Sequence, residues 1–310
     1  MAIASRGARR VLLTGAAGFI GSHLARQLIA EGHDVTAILR PTDDRSRIAD
    51  LIAQMSIVEG DLADLPTIME PLRNSQPEMC IHLAWQGWKG RATDNVASLA
   101  ASLNLLRAMP ELQCQRFISA GTCYEYDLCD TRLAEDHPLS PREVYGSCKK
   151  ALFEVGQQFG AETGISVAVP RIFYTYGPGE PRQGLVPYII LSLLRGDAAK
   201  LTRGDQVRDY VYAEDIASAI WAVATSDVRG AVNIASGHPV TVAHIARTLG
   251  ELLEKPELIQ LGAIDYRGSE PVRVLGDATR LHDEVKWTPA FDLDAGLTNA
   301  VAWWKEHGHI

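Results

Sequence analysis

The sequence predicts an α/β fold: a doubly wound parallel sheet with a smaller C-terminal substrate-binding domain. Three observations carry that prediction. Short apolar runs alternate with longer helical patterns from residue 10 to about residue 173, a glycine-rich turn joins the first run to the first helix, and beyond residue 174 the alternation loosens. Alternating βαβα order indicates a parallel sheet covered by helices on both faces.

"RVLLTG" (10–15) reads as a buried strand and "FIGSHLARQLIAEG" (19–32) as a helix stopped by Gly32. "DVTAIL" (34–39), "SIVEGD" (56–61) and "MCIHLA" (79–84) supply the next three strands. Between 95 and 109, apolar side chains at 96, 99, 100, 103 and 106 form the stripe of an amphipathic helix. "RFISAG" (116–121) is a fifth strand, 144–164 a long helix, and "ISVAVPRIF" (165–173) a sixth strand. "YTYGPGEPRQG" (174–184) reads as a loop leaving the sheet. A helix (185–195), a short strand (207–212), a helix (213–226), "AVNIA" (231–235) and two further helices follow; Trp303 and Trp304 in the last are packing anchors. The expected division is a dinucleotide-binding unit at 1–173 plus about 207–240, and a cap at about 174–206 and 241–310.

Bulk properties exclude several functions. A hydrophobic content of 46% with 22% charged residues is that of a globular protein. The net charge of −8, without a Lys/Arg-rich run, argues against nucleic acid or an anionic membrane as partner. "MAIASRGARR" is basic but no apolar segment follows it, and no run approaches the roughly 18 apolar residues of a membrane helix. Five scattered cysteines without C-x-x-C predict neither a disulfide framework nor a metal site, and a cytoplasmic location.

"TGAAGFIG" places Gly15, Gly18 and Gly21 between the first strand and helix. Glycines there allow a tight turn and close approach of backbone to a pyrophosphate, with the helix N-terminus facing the anion. The second strand ends at Arg40, with Arg45 and Arg47 nearby, which favours NADP(H) over the alternative NAD(H); Asp43 and Asp44 partly offset that charge. Asp61 is a candidate for the adenine amino group or for a helix cap. "YGSCK" sets Tyr145 and Lys149 four residues apart on one helix face, where an ammonium can draw a phenol pKa towards neutrality.

With these motifs the chain resembles the extended short-chain dehydrogenase/reductase family, in its nucleotide-sugar epimerase/dehydratase branch. The likeness runs end to end through "TGAAGFIGSHL" (14–24), "GDL" (60–62), "IHLA" (81–84), "NLL" (104–106), "YGSCK" (145–149), "RIFYTYGPG" (171–179), "VRDYVYAEDIA" (207–217), "NIASG" (233–237) and "YRGSEP" (266–271). The resemblance implies a Rossmann fold, Tyr145 as acid/base and Lys149 as ligand of the nicotinamide ribose. It adds Phe19, Ile20, Leu62, Leu83 and Ala84 to the cofactor contacts. A Ser or Thr hydroxyl that orients the substrate oxygen is expected four residues before the Tyr of a V-Y-G-type tripeptide. Gapless matching to Tyr124 puts Ala120 in that role; matching to Tyr126 puts Thr122 there, and only the threonine can hydrogen-bond through its side chain.

For the substrate, the resemblance implies Arg208 and Arg267 on a nucleotide diphosphate, Glu270 near the nucleotide ribose, and Thr122, Tyr174 and Leu185 around the sugar. The loop "WQGWKGR" (85–91) departs from the family, and its Trp85 is either part of a wall over the sugar or part of a packed surface loop. The family often has Asn at the positions of Tyr174 and Gly184. Its dehydratases carry an acidic pair after the catalytic threonine, whereas Cys123 and Tyr124 follow Thr122 here. The sequence therefore favours a ketoreductase acting on a nucleotide-activated sugar, with an NAD-dependent epimerase as the alternative. A dinucleotide-sensing regulatory protein is disfavoured because the tyrosine–lysine pair is kept. The implied assembly is a homodimer through the 95–109 and 144–164 helices.

Overall fold

Residues 7–87, 90–266 and 271–308 are described in this computed structural model of the chain. The first strand, β1 (Arg10–Thr14), is buried from Val11 onward and sits inside a parallel sheet. On one side lie β2 (Asp34–Leu39) and β3 (Ser56–Glu59); on the other lie β4 (Met79–His82), β5 (Arg116–Ser119), Ser166–Ile172 and Gly230–Ile234. The chain runs outward from β1 to β3 and then returns to the other side of β1, so the strand order reverses between β1 and β4. A crevice opens at the carboxyl ends of the strands at such a point.

Helices cover both faces. α1 (Phe19–Ala30) packs on one face, and on the other lie α2 (Met69–Ser75), α3 (Ala92–Ala108) and α4 (Val144–Thr163). A separate apolar core joins α5 (Leu185–Arg195), α7 (Val242–Leu252) and α9 (Leu293–His307) through Ile189, Leu193, Ile245, Leu249, Leu297 and Trp304. α6 (Ala213–Thr225) joins α1 on the first face, and the short α8 (Thr279–Asp283) abuts Gly230–Ile234. Of the segment 207–240 expected with the dinucleotide-binding unit, α6 and Gly230–Ile234 sit on the main sheet. Val207–Tyr212 pairs elsewhere.

That second sheet is the main departure from expectation. Val207–Tyr212 pairs antiparallel with Pro239–Thr241 and parallel with Arg273–Gly276 and Tyr174–Tyr176. Tyr174–Tyr176 was expected as loop, but the breakers begin only at Gly177, which leaves three residues free to pair. The helix expected behind an Asp61 cap is cut into short pieces: Leu62–Ile68 forms 3-10 turns with Pro66 and a non-helical Asp64 inside, and α2 starts only at Met69. Among the described residues no helix is long and apolar enough to cross a membrane.

Asp209 fastens the second sheet. Fully buried, it accepts from Ser236 N and Oγ (2.7 Å each), Gly237 N (3.0 Å) and Gly276 N (3.4 Å). Asp209→Ala leaves these donors unpaired and should lower unfolding free energy by about 3 kcal/mol, read by urea denaturation. A loss within about 0.5 kcal/mol, the range of an ordinary surface substitution, would contradict this role.

Candidate active site

The glycine turn closes only without side chains. Gly15 has φ +78°, and a Cβ there would lie 2.6 Å from Ala84 N. A Cβ on Gly21 would lie 1.9 Å from Gly15 O, and Gly18 N donates to that carbonyl at 2.9 Å. The turn delivers α1, which starts at Phe19, with its N-terminus towards the crevice.

Two cavities, of about 390 and 560 Å³, meet at Gly15, Gly18, Leu83 and Trp85 and form one trough across the strand-order reversal. The first holds Arg40, Asp61, Leu62 and Ala84; the second holds Phe19, Ile20, Gly21, Tyr145 and Lys149. Every residue expected on the cofactor therefore lines one trough. A nicotinamide dinucleotide fits it: the crowded glycines leave bare backbone at its middle, acidic and basic groups stand at one end, and hydroxyls at the other.

At the first end Arg40 does not stand free. Its Nε donates to Asp43 Oδ1 and its backbone N–H to Asp43 Oδ2, each at 2.9 Å. Arg45 pairs with Glu59, and Arg47 Nε donates to Gly179 O at 3.0 Å. The side chain of Asp61 accepts from Ala63 N at 2.9 Å, so the capping reading holds, while the residue also lines the trough.

At the other end Thr122 and Tyr145 line the same cavity, and the threonine hydroxyl favours the ionised form of the phenol. Lys149 Nζ donates to Ala120 O at 2.8 Å and lies 3.8 Å from the centre of the Trp85 ring. Burial pushes Lys149 down to about 7, opposed by the Glu125 carboxylate. Burial also pushes the Tyr145 phenol well above the ordinary range, opposed by the Thr122 hydroxyl and reinforced by Cys123 and Glu125. This corrects the expectation that Lys149 draws the phenol down. The ammonium is turned to the Ala120 carbonyl and the Trp85 ring, and Tyr145 is held protonated at neutral pH.

Thr122 is fixed by a buried ion pair. Its N–H donates to Glu125 Oε1 at 2.8 Å, while Thr122 Oγ1 accepts from Tyr124 N at 3.3 Å. Arg171 Nε donates to Glu125 Oε2 at 2.8 Å, with both side chains 0% exposed. The Arg171 guanidinium is sandwiched between Tyr126 and Phe153, 4.7 and 4.6 Å from the ring centres. His82, buried and pushed down to about 3, bonds Thr14 Oγ1 and Ser102 Oγ and stays neutral.

Among the expected substrate residues, Trp85, Thr122, Tyr174 and Leu185 line the larger cavity. Trp85 is held by Asn95 Oδ1 at 2.8 Å. Arg208 is buried against Tyr174, its guanidinium 5.3 Å from the ring centre, and donates to the Val207 and Val272 carbonyls. Arg267 and Glu270 lie outside the described residues, as does the Trp88–Lys89 part of the "WQGWKGR" loop. The sequence reading missed Tyr210 and Glu180, which also line this cavity, and the tie of Glu125 to Arg171. Arg171 stood inside a quoted motif, but nothing local names its partner.

The profile of the NAD dependent epimerase/dehydratase family matches residues 11–235. A dTDP-glucose 4,6-dehydratase of Xanthomonas campestris pv. campestris is 26% identical, covering 94% of this chain and 92% of its own length. The crystal structure of a Thermotoga maritima UDP-glucose 4-epimerase with UDP-glucose superposes with a TM-score of 0.88 at 24% identity, covering 96% of this chain and 99% of that one. A Thermus thermophilus UDP-glucose 4-epimerase complexed with NAD gives 0.84 at 26% identity, covering 97% and 99%.

Removing Glu125 leaves a buried guanidinium without its counter-ion. Glu125→Ala should cost about 3–5 kcal/mol in urea denaturation, while the double change Glu125→Leu with Arg171→Met should recover most of that loss. A double variant no more stable than Glu125→Ala would contradict the ion-pair account.

Proposed function

Because the chain belongs to the NAD dependent epimerase/dehydratase family, we propose that it moves hydride at one ring carbon of a nucleotide-activated sugar, the net reaction being epimerisation with NAD(H). The observation that carries this reading is the meeting of Thr122, Tyr145 and Lys149 in one cavity with the end of the glycine trough. Bound there, the dinucleotide supplies the hydride acceptor and donor. Thr122 orients the reacting oxygen, Tyr145 holds or takes its proton, and Lys149 anchors the nicotinamide ribose. Oxidation of the ring alcohol needs Tyr145 as its phenolate, its own proton lost to solvent beforehand, so that the hydroxyl proton passes to the phenolate oxygen while the dinucleotide would take the hydride. Return of the hydride to the opposite face of that carbon, and of the proton to its oxygen, would give the epimer. A phenol held protonated is ready for the second half, delivery of a proton to the ketone oxygen.

Two features favour epimerisation over its neighbours. Dehydration needs acid and base groups beside the reacting hydroxyl, yet Cys123 and Tyr124 follow Thr122, and Glu125 is committed to Arg171 and the Thr122 N–H. Reduction with NADPH rested on Arg40, but Asp43 accepts from its Nε and Nη2 and offsets the charge that would attract a 2′-phosphate. The relatives fit the substrate class, one being named for dTDP-glucose and two for UDP-glucose. Arg208 and Arg267 remain the proposed diphosphate ligands, with Glu270 near the nucleotide ribose. Pairing of two copies through α3 and α4, which expose Val96 and Val155, belongs to the same reading.

The test is to follow UDP-glucose and dTDP-glucose by NMR for conversion to an epimer without net consumption of dinucleotide. Reduction of a keto-sugar with stoichiometric loss of NADPH would instead establish the ketoreductase. Tyr145→Phe should lower turnover by roughly 10²–10⁴-fold while leaving the fold intact; full turnover would remove Tyr145 from the chemistry. Asp43→Asn should release Arg40 and shift the NADPH-to-NADH affinity ratio towards NADPH by about tenfold, equivalent to about 1.4 kcal/mol. An unchanged ratio would mean that Asp43 does not set the preference.

A further inference from the structure

Glu180 is the buried acidic group of the catalytic cavity that neither the cofactor nor the acid–base machinery engages. It lies in the turn after Tyr174–Tyr176, lines the 560 Å³ cavity with Thr122, Tyr145 and Tyr174, and is 8% exposed. Its Oε2 is buried without a hydrogen-bond partner. A buried polar atom of this kind costs on the order of 1–3 kcal/mol, a penalty that a bound ligand can remove.

The carboxyl also occupies the place of a neighbouring side chain. A Cβ on Gly184 would lie 1.9 Å from Glu180 Oε1. Gly184 is where the resemblance leads one to expect Asn. The polar group at that corner of the pocket is thus delivered from residue 180, and glycine at 184 makes the room.

We propose that Glu180 is a specificity-determining residue whose carboxylic acid donates a hydrogen bond to an oxygen of the bound nucleotide sugar, on the sugar or on its diphosphate. This rests on the nucleotide-sugar reading. The turn that carries Glu180 is held from outside, His23 Nε2 meeting Pro178 O at 2.9 Å and Arg47 Nε donating to Gly179 O. Burial pushes the carboxyl up to about 8, opposed by the Gly177 backbone N–H. Among the described residues, the other ionisable groups lining the cavity are Tyr145 and Lys149 of α4, Tyr124, Cys123, and Tyr174 and Tyr210 of the second sheet. The neutral acid prevails below about pH 8 and gives way to the anion above it, so donation to the ligand is lost as pH rises through that value.

The experiment is calorimetric titration of NAD-loaded protein with UDP-glucose and dTDP-glucose at pH 7 and pH 9, in wild type, Glu180→Ala and Glu180→Gln. UDP alone and, on protein freed of dinucleotide, NADH serve as controls. Glu180→Ala should weaken the sugar nucleotide that wild type binds by about tenfold or more at pH 7, and Glu180→Gln, which keeps a donor, by about threefold or less. Between pH 7 and 9 wild type should lose about tenfold more affinity than Glu180→Gln, whose remaining pH dependence reports Lys149 and the other cavity groups. An equal loss for UDP places the acceptor on the diphosphate; an unaffected UDP places it on the sugar. An alanine variant that binds like wild type, or one that loses only NADH, overturns the proposal and leaves the nucleotide-sugar reading standing. Wild type that binds NADH but none of the uridine or thymidine probes overturns both.

Discussion

Glu125 and Arg171 are separated by 46 residues in the chain and meet with neither side chain exposed, and the active end of the molecule is assembled around that meeting. Glu125 places one carboxylate oxygen on the Thr122 N–H and the other on Arg171. Arg171, on Ser166–Ile172, reaches the Tyr126 hydroxyl and the Glu135 carbonyl, and the Tyr126 hydroxyl in turn donates to Asn233 on Gly230–Ile234. The end of β5, α4 through Phe153, and two neighbouring strands thereby share one charge pair. Such a pair is a weak source of net stability, but once formed it tolerates little displacement of its partners. That is what a hydroxyl aimed at the Tyr145 phenol requires.

The same burial that locks the pair sets the charge of the cavity. Lys149, Tyr145 and Glu180 are each pushed towards their neutral forms, and His82 behind them is neutral. The Glu125 carboxylate favours the ammonium form of Lys149 and disfavours ionisation of Tyr145. Interactions with an arriving ligand are strong in such a low-dielectric space, because little water screens them.

Much of this was legible in the sequence, for identifiable reasons. Strands buried on both faces read as continuous apolar runs, so β1 to β5 lie within the spans their letters suggested. The glycine turn and the Tyr145–Lys149 spacing were legible because each is local. The choice of Thr122 over Ala120 came from chemistry, and the structure sets that hydroxyl against Tyr145 while Ala120 contributes its carbonyl to Lys149. Contacts between distant residues were not legible. Glu125 and Arg171 look like ordinary charges when taken singly, Asp43 looked like a partial offset to Arg40, and Glu180 was one letter in a Gly/Pro-rich stretch. The strands of the second sheet are mostly two to four residues long, too short to carry a period.

The account stands or falls on hydride leaving a sugar carbon inside this cavity. Rapid mixing of NAD-loaded protein with UDP-glucose or dTDP-glucose, followed by the near-ultraviolet absorbance of reduced nicotinamide, reads that step directly. The account predicts that the absorbance appears during the first turnover and decays as the epimer forms. Epimer formation with no reduced nicotinamide at any time, under conditions where the hydride step is slowed by a deuterated sugar carbon, would contradict it.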